Sequence, residues 1–243
     1  TAAVALRLRS LMAARDAFAG RDLAGAAAQA SAAAAAAFEV SWRMARARVE
    51  DEAPLACRAG CDACCFQHVA ILPIEAIAIA AALDRDRDEG PGLRARLAGT
   101  DAKTHDLDAP SRRRARIPCA FLGAEGRCEI YEIRPIRCRG LHSRDAELCR
   151  WQTDQPDQAM AERGQRTGPH RAFPVEPMQL ADAALAGLAA ACAERGIAHD
   201  AVELAHAVQL LIFAPARAHA VLTGADQLAE ARLDVTTRPM AKR

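Results

Sequence analysis

The sequence predicts a mainly α-helical protein, a helical bundle that carries a loop-rich, cysteine-rich module with little or no strand. Of its 243 residues, 51% are apolar but only 4% are aromatic. The core must then be built largely from Ala, Leu, Ile and Val, and alanine favours helices over strands. The high apolar content and the balanced charge, a net +1, exclude a chain that is disordered over most of its length.

The first 53 residues are predicted to form an Ala-rich helical hairpin. Apolar residues recur at helical spacing over 2–18, and Gly20 ends the pattern. Asp22 is the predicted N-cap of a second helix over 23–49. The apolar stripe of the first helix is Val4, Leu8, Leu11 and Phe18, and that of the second includes Phe38, Trp42, Ala45 and Val49.

The next hundred residues alternate between short regular elements and loops. We expect a loop over 55–68, a short extended segment over 69–72 and a helix over 74–84 that begins after Pro73. Residues 86–116 are polar and contain several Gly and Pro, so they are predicted to be a flexible connection with at most a weak helix over 92–98.

The remaining elements are a tight turn and a set of helices. Gly123 to Gly126 predicts a turn that places Cys119 and Cys128 across a small hairpin. The predicted helices are 143–151, 178–194, 200–213 and 215–231. We therefore divide the chain into a helical hairpin (1–53), a cysteine module (54–151) and C-terminal helices (152–243), packed as one compact unit.

The placement of the cysteines is the most informative feature of the sequence. Eight of the nine lie in the 93 residues from 57 to 149, four of them in the segment CRAGCDACC at 57–65. A secreted disulfide scaffold is usually short with an even count, whereas clustered thiols in a long chain are typical of metal ligands. Cys192 lies on a helical stripe with Leu185 and Leu188, which indicates a buried structural thiol. The predicted metal ligands are Cys57, Cys61, Cys64, Cys65, Cys119, Cys128, Cys138 and Cys149.

Two arrangements of these thiols remain open. Adjacent cysteines usually point apart, so we expect that Cys64 and Cys65 do not both bind the same ion and that one serves a second centre or acts as a redox thiol. Eight thiols match two four-thiolate sites, but they equally match one cluster with additional thiols around it. His68 and His142 lie at ligand spacing from the nearest cysteines, although a structural or surface role is the stronger interpretation for both.

The surroundings of the second cysteine group are basic. Residues 111–150 contain ten Arg and five acidic residues, a local charge of +5. Nearby cations lower thiol pKa values and offset the charge of a thiolate-rich centre. A solvated basic surface, or a surface for an acidic partner, explains the same composition.

Residues 57–65 together with PCAFLGAEGRCEIYEIRPIRCR at 118–139 resemble the YkgJ-like cysteine-cluster family, which carries a CxxCxxCC zinc- or iron-chelating domain. The resemblance covers roughly 55–140 and implies that the seven cysteines from Cys57 to Cys138 belong to a metal-binding set. It further implies that Tyr131, Arg134 and Pro135 shape the loop that presents Cys138. The spacing of three residues after Cys57, and Ala120 in place of a common Pro, depart from the family pattern. A similar domain occurs in flagellin lysine N-methylases, which look like iron–sulfur enzymes that use S-adenosylmethionine.

These observations favour an iron–sulfur protein, with a [4Fe–4S] centre and a redox or modification role. A zinc-stapled binding or scaffold protein and a metal-handling chaperone are the alternatives. The spacing Cys57-x3-Cys61-x2-Cys64 also matches radical S-adenosylmethionine enzymes, but no alternating strand–helix units accompany it. Whether the chain is an enzyme is left open. We expect an unidentified protein or redox partner, a cytoplasmic location, and neither membrane nor nucleic-acid binding.

Overall fold

The protein is mainly α-helical, as predicted. A computed structural model describes residues 1–20, 23–85, 90–162, 172–225 and 228–233. Within these residues there are eleven α-helices and one two-stranded sheet, and 69% of these residues are helical. The predicted N-cap Asp22 lies outside the described residues.

In chain order the α-helices are α1 (Ala2–Ala17), α2 (Leu23–Glu52), α3 (Pro73–Arg85), α4 (Gly90–Thr104), α5 (Ala109–Ala115), α6 (Ile136–Gly140), α7 (Ala146–Asp154), α8 (Pro156–Ala161), α9 (Val175–Glu194), α10 (Leu204–Phe213) and α11 (Ala216–Leu222). Short 3-10 helices span Ala63–Phe66, Tyr131–Ile133 and Ala229–Ala231. Strands β1 (Ala70–Ile71) and β2 (Val202–Glu203) pair antiparallel, with Ala70 opposite Glu203. The short extended segment predicted over 69–72 is therefore confirmed as β1.

Three helices, α1, α2 and α9, pack together at the centre of the bundle. Their contact surfaces consist mainly of small residues, which let the helix axes approach closely. A Cβ added at Gly187 of α9 would collide with the carbonyl oxygen of Arg7 and lie 2.8 Å from the Cβ of Ser10. The glycine is therefore required by the close contact between α1 and α9.

The helix α1 is confirmed, but its predicted apolar stripe is buried only in part: Phe18 is buried and Leu11 packs against the core. Val4 and Leu8 are 58% and 53% exposed, whereas Leu6, Ser10 and Ala14 are fully buried. Both sets recur at helical spacing. Because α1 lies so close to α9, the contact selects the face with the smaller side chains at Ser10 and Ala14.

The alanine-rich α2 is confirmed with its predicted apolar face. Its buried residues are Ala26, Ala27, Ala30, Ala34, Phe38, Ser41, Trp42, Ala45 and Val49. By length and composition alone α2 could cross a membrane, since an 18-residue window reaches a mean hydropathy of 1.2. In the structure, 28% of that window is buried, and α2 contacts α1, α3 and α9.

Two other predicted elements differ from the structure. Residues 90–115 form α4 and α5, so most of the expected flexible connection is helical. Leu93 and Leu97 of α4 are buried, and Asp108 caps α5 by accepting a hydrogen bond from the Ser111 N–H. The helix expected over 215–231 ends at Leu222, and the described residues after it include a 3-10 helix at Ala229–Ala231.

Candidate metal centre

The cysteine module is a loop-rich surface on one side of the bundle. The chain turns sharply at Gly60, whose φ is +82°, and then enters the 3-10 helix that carries Cys64 and Cys65. The turn of the 119–128 hairpin packs directly on this loop. A Cβ at Gly126 would lie only 3.1 Å from the Gly60 carbonyl oxygen. The two distant cysteine segments are thus in backbone contact.

Four of the predicted ligands line a cleft of about 150 Å³. They are Cys57, Cys61, Cys64 and Cys149, and Arg113 and His142 also border the cleft. Cys149 comes from α7, which packs against the 3-10 helix. The Thr153 hydroxyl of α7 donates to the Ala63 carbonyl oxygen at 2.9 Å and fixes this contact.

Ser143 connects two cysteines of the cleft and was not identified from the sequence. Its backbone N–H donates to the Cys57 Sγ at 3.2 Å, and Ser143 is buried. Burial raises the pKa of Cys149, the Ser143 hydroxyl lowers it, and the nearby Cys57, Cys61 and Cys64 raise it further. Hydrogen bonds to sulfur orient ligands and stabilise the thiolate form. In the sequence, the only sign of this role of Ser143 was its position as a polar residue two places before Asp145, the N-cap of α7.

The other four predicted ligands lie beside this cleft rather than along it. They are Cys65, Cys119, Cys128 and Cys138. The Cys119 N–H donates to the Cys65 carbonyl oxygen at 2.7 Å, and an antiparallel bridge between Leu122 and Cys128 closes the predicted hairpin. The pKa of Cys138 is raised well above its usual value, first by burial and then by Cys119, Cys64 and Cys128. These thiols therefore lie within electrostatic reach of one another.

Glu75 anchors the segment that presents Cys138. Its side chain is buried in α3, where one carboxylate oxygen accepts from the Ile136 N–H at 2.9 Å and the other from the Leu72 N–H at 3.0 Å. Burial raises the pKa of Glu75, and the two hydrogen bonds counter this shift. A single acidic residue in the apolar run VAILPIEAIAIAAAL was the signal for this role.

Cys64 and Cys65 are neighbours in the 3-10 helix, and the expectation that they do not bind the same ion stays a prediction. The interaction between the two thiols lowers the pKa of Cys64 to about 7 and raises that of Cys65. The tight 3-10 turn brings adjacent side chains to the same side of the backbone. Cys64 therefore occupies a central position, in contact with Cys65 and at the edge of the cleft.

The donor set fits a thiophilic metal, but its side chains do not close around a single point. In the residues that the structure describes, no three His, Cys, Asp or Glu side chains are arranged to hold one ion. All nine cysteines are free thiols, so no disulfide competes for them. Thiolates are soft ligands for zinc, copper and iron–sulfur clusters. The chemistry of the donors thus fits metal binding, with the thiols spread around a space rather than around one atom.

Most of the local arginines have structural partners. Five of them form ion pairs that tie the module to its surroundings, namely Arg114–Asp157, Arg116–Asp154, Arg137–Asp182, Arg139–Glu39 and Arg144–Glu52. Arg134 stacks on the Tyr131 ring at 4.0 Å. The guanidinium of Arg134 also opposes the rise in pKa that burial causes at Cys57 and Cys128. The arginines thus favour the thiolate form of nearby cysteines, as expected, and also tether the module to its surroundings, a role that was not predicted.

Cys192, His68 and His142 have structural surroundings. Cys192 is fully buried in α9, and burial raises its pKa to about 12. The His68 Nε2 lies 2.8 Å from the Leu107 carbonyl oxygen. His142 packs against Trp42, and burial lowers its pKa to about 4.

Comparison with known proteins places a metal-chelating domain over this module. Residues 56–155 match the family model described as "CxxCxxCC: Putative zinc- or iron-chelating domain". No curated protein and no solved structure matches the chain. The match includes all eight cysteines of the module and extends to Cys149, beyond the motif that ends near residue 140. The resemblance seen in the sequence is therefore supported over residues 56–155, which are similar to the CxxCxxCC zinc- or iron-chelating domains.

Proposed function

We propose that this chain is an iron–sulfur protein that holds a [4Fe–4S] cluster in the cleft through Cys57, Cys61, Cys64 and Cys149. The observation that carries the proposal is that four thiols surround a cleft of about 150 Å³. Four cysteine thiolates are the usual ligand set of such a cluster. The cluster supplies one-electron chemistry when bound.

The spread of the thiols favours a cluster over a single zinc ion. A tetrahedral zinc site with Zn–S bonds of about 2.3 Å requires sulfur atoms roughly 3.8 Å apart. Among the described residues, no three donor side chains converge in this way. A cluster contains its own iron and sulfide, so its protein ligands lie around a larger body. Four thiols that line one cleft support that arrangement.

The electrostatics of the cleft suit an anionic centre. Arg113 borders the cleft, and Arg134 lies close enough to Cys57 and Cys64 to oppose a rise in their pKa values. The Ser143 N–H adds a hydrogen bond to the Cys57 sulfur. Cationic groups and hydrogen bonds to sulfur stabilise the reduced, more negative state of a cluster. These residues would therefore tune the reduction potential.

The exposure of the cleft favours electron transfer with a partner. Cys57 and Cys64 are both exposed at the surface. A cluster bound there would lie close enough to solvent for a protein or small redox partner to approach it. We therefore assign the module to electron transfer, or to a modification reaction that begins with an electron from this centre.

Anaerobic purification tests the proposal directly. The expected product is brown, contains iron and acid-labile sulfide in equal amounts, and loses its visible absorption on reduction with dithionite. Cys61→Ser should lose iron and sulfide together because Cys61 is one of the four proposed ligands. Cys192→Ala is the matched control, because it removes a thiol outside the module and should retain the full absorption.

A different metal content would refute the assignment. Colourless protein with stoichiometric zinc and no sulfide would overturn the iron–sulfur proposal and favour the zinc-stapled scaffold. Equal loss of iron from Cys61→Ser and Cys192→Ala, with native circular dichroism in both, would show that the cleft thiols are not the ligands.

A further inference from the structure

The outer side of α1 and α2 carries most of the exposed large apolar side chains. Of the nine such residues in the described part of the chain, five lie on these two helices. They are Val4, Leu8 and Met12 of α1 and Val40 and Met44 of α2, and we call them the α1–α2 face. Met12 and Met44 are 61% and 76% exposed. Single exposed apolar residues are ordinary, whereas a group of them rimmed by polar residues is typical of an interaction site.

The apolar residues of the α1–α2 face form two neighbouring rows. On each helix they are spaced by four positions, so each row follows one side of its helix. The two helices pack together, and the Arg9 guanidinium donates to the Ser41 Oγ at 2.9 Å. Arg9 directly follows Leu8 and Ser41 directly follows Val40, so this bond sets the two rows side by side. Two such ridges with a groove between them are a surface on which a third helix packs.

The arginines next to the α1–α2 face lack acidic partners, unlike the other arginines of these helices. Three of the six arginines of α1 and α2 form ion pairs, namely Arg15–Glu194, Arg46–Glu50 and Arg48–Glu176. The other three are Arg7, Arg9 and Arg43, each three positions from Val4, Met12 or Val40 and therefore beside that residue on the helix surface. Within the described residues, Arg7 and Arg43 make no hydrogen bond or ion pair. The unneutralised positive charge thus borders the apolar rows.

We propose that the α1–α2 face binds an acidic amphipathic helix of a partner protein. The apolar side of that helix packs between the two rows, and its carboxylates pair with Arg7, Arg9 and Arg43. The two methionines suit this role, because their unbranched side chains adapt to the shape of a bound helix. A second copy of this chain fits less well, since a symmetric dimer through this face would set the same arginines against one another.

The α1–α2 face lies next to the part of α2 that contacts the cysteine module. Trp42 packs against His142, which borders the cleft, with ring centroids 4.7 Å apart. Glu39 of the same turn pairs with Arg139 at 2.8 Å. A partner on the outer side of this turn would thus be separated from the cleft by about one helix diameter, roughly 10–12 Å. Docking itself does not require a metal in the cleft, so this proposal stands apart from the iron–sulfur assignment.

Two synthetic peptides test the docking proposal on the wild-type chain. The first is a fluorescent helical peptide with leucines along one side and glutamates elsewhere, and the second has lysine in place of every glutamate. Fluorescence anisotropy should show binding of the acidic peptide and at least about tenfold weaker binding of the basic one. Equal binding of the two peptides, or binding of neither, would overturn the proposal.

Matched variants locate the binding surface. Met44→Glu and Arg43→Glu should each weaken binding of the acidic peptide by about tenfold, with circular dichroism unchanged because both residues are exposed. The controls are Phe213→Glu, at an apolar residue of α10 that is 79% exposed, and Arg150→Glu, at an exposed arginine of α7. Both controls should bind as tightly as wild type. Equal losses in the control variants would show that the α1–α2 face is not the docking site.

Two measurements distinguish the other occupants. Wild-type chain should not sediment with vesicles of phosphatidylserine and phosphatidylcholine; sedimentation that Met44→Glu abolishes would assign the face to a membrane surface and refute the helix. Light scattering should give a monomer. A dimer that Met44→Glu dissociates would assign the face to a second copy of the chain and would equally refute the proposal.

Discussion

Substituting Glu75 with alanine removes the acceptor of two buried backbone N–H groups, those of Leu72 and Ile136. The carboxylate oxygens lie 3.0 and 2.9 Å from these nitrogens, and Glu75 is only 2% exposed. Each unsatisfied buried donor costs about 1–3 kcal/mol, so two cost about 2–6 kcal/mol. Burial raises the pKa of Glu75 because burying the charged carboxylate is unfavourable. Removing the carboxylate therefore offsets part of the destabilisation that the two unsatisfied N–H groups cause. We expect a net destabilisation of roughly 2–4 kcal/mol.

Glutamine at position 75 should have an intermediate effect. Its carbonyl oxygen can accept one of the two hydrogen bonds, but its NH₂ group faces the other donor. One unsatisfied N–H corresponds to about 1–3 kcal/mol. The predicted order of stability is therefore wild type, then Glu75→Gln, then Glu75→Ala.

Urea unfolding followed by far-UV circular dichroism measures these differences. Glu50→Ala is the matched control, because Glu50 forms an exposed i,i+4 pair with Arg46 at 2.9 Å that contributes only about 0.3–0.5 kcal/mol. The Cys138 thiol should also react faster with a thiol reagent in Glu75→Ala, because α6 loses its anchor. If Glu75→Ala costs no more than Glu50→Ala and leaves Cys138 equally protected, the anchoring role is wrong.

Two further predictions concern the bundle. Gly187→Ala should destabilise the protein by about 1–3 kcal/mol in urea unfolding, because the added Cβ would collide with α1. Gly99→Ala is the control: the space around Gly99 is open, so this change should stabilise α4 by about 0.5–1 kcal/mol. A Gly187→Ala variant that is more stable than wild type would contradict the close contact between α1 and α9. His206 hydrogen-bonds Asp101 at 2.7 Å, and this contact raises the pKa of His206 above its ordinary value of 6.5. The stabilisation that this hydrogen bond gives is therefore complete below pH 6.5 and is lost as the pH rises through the folded-state pKa of His206. The free energy of unfolding of the wild type should thus fall by about 1 kcal/mol above pH 6.5, and that of His206→Gln should not. Parallel pH profiles of the two proteins would refute this assignment.

Local sequence patterns predicted the helices whose buried face is set by large side chains. The face of α2 that contains Phe38 and Trp42 was recognised because few other large residues compete with it. The buried face of α1 was not recognised in full, because the close approach of α9 at Gly187 selects small residues of α1 and leaves Val4 and Leu8 exposed. The distance between two helices is a long-range property, so periodicity within one helix cannot report it.

The region before the second cysteine group shows a similar limit. The polar composition of 86–116, with Gly and Pro at 90–92 and Pro110, predicted a flexible connection with at most a weak helix over 92–98. In the structure, Arg112 of α5 is buried and donates to the carbonyl oxygens of Ile117 and Pro118, so a charged residue serves as an internal tether. Such a role depends on where the following segment folds, which the composition of the helix does not reveal.

For the candidate site, the sequence pointed to the cysteines but not to the groups that support them. The spacing of the cysteines predicted eight metal ligands, and four of these line one cleft, while their role as ligands stays a prediction. Ser143 and Glu75 act in part through hydrogen bonds to residues that lie 86 and 61 positions away. Such pairs leave no local pattern. The contact between Cys64 and Cys65 was likewise missed, because it follows from the 3-10 turn rather than from adjacency alone.

The contacts between the cysteine module and the helical bundle indicate how much metal binding contributes to the folding of the module. Ala120, Phe121, Ile130 and Ile136 are buried in the common core, and Arg144 donates to the carbonyl oxygens of Val49 and Ala53 at the end of α2. A zinc finger lacks such a core and folds only when it binds metal. Here the backbone framework is held by the helices, so little of the binding free energy is needed for folding. Metal affinity can then reflect the ligands themselves, and removal of the metal should loosen the thiol loops while the helical bundle stays folded.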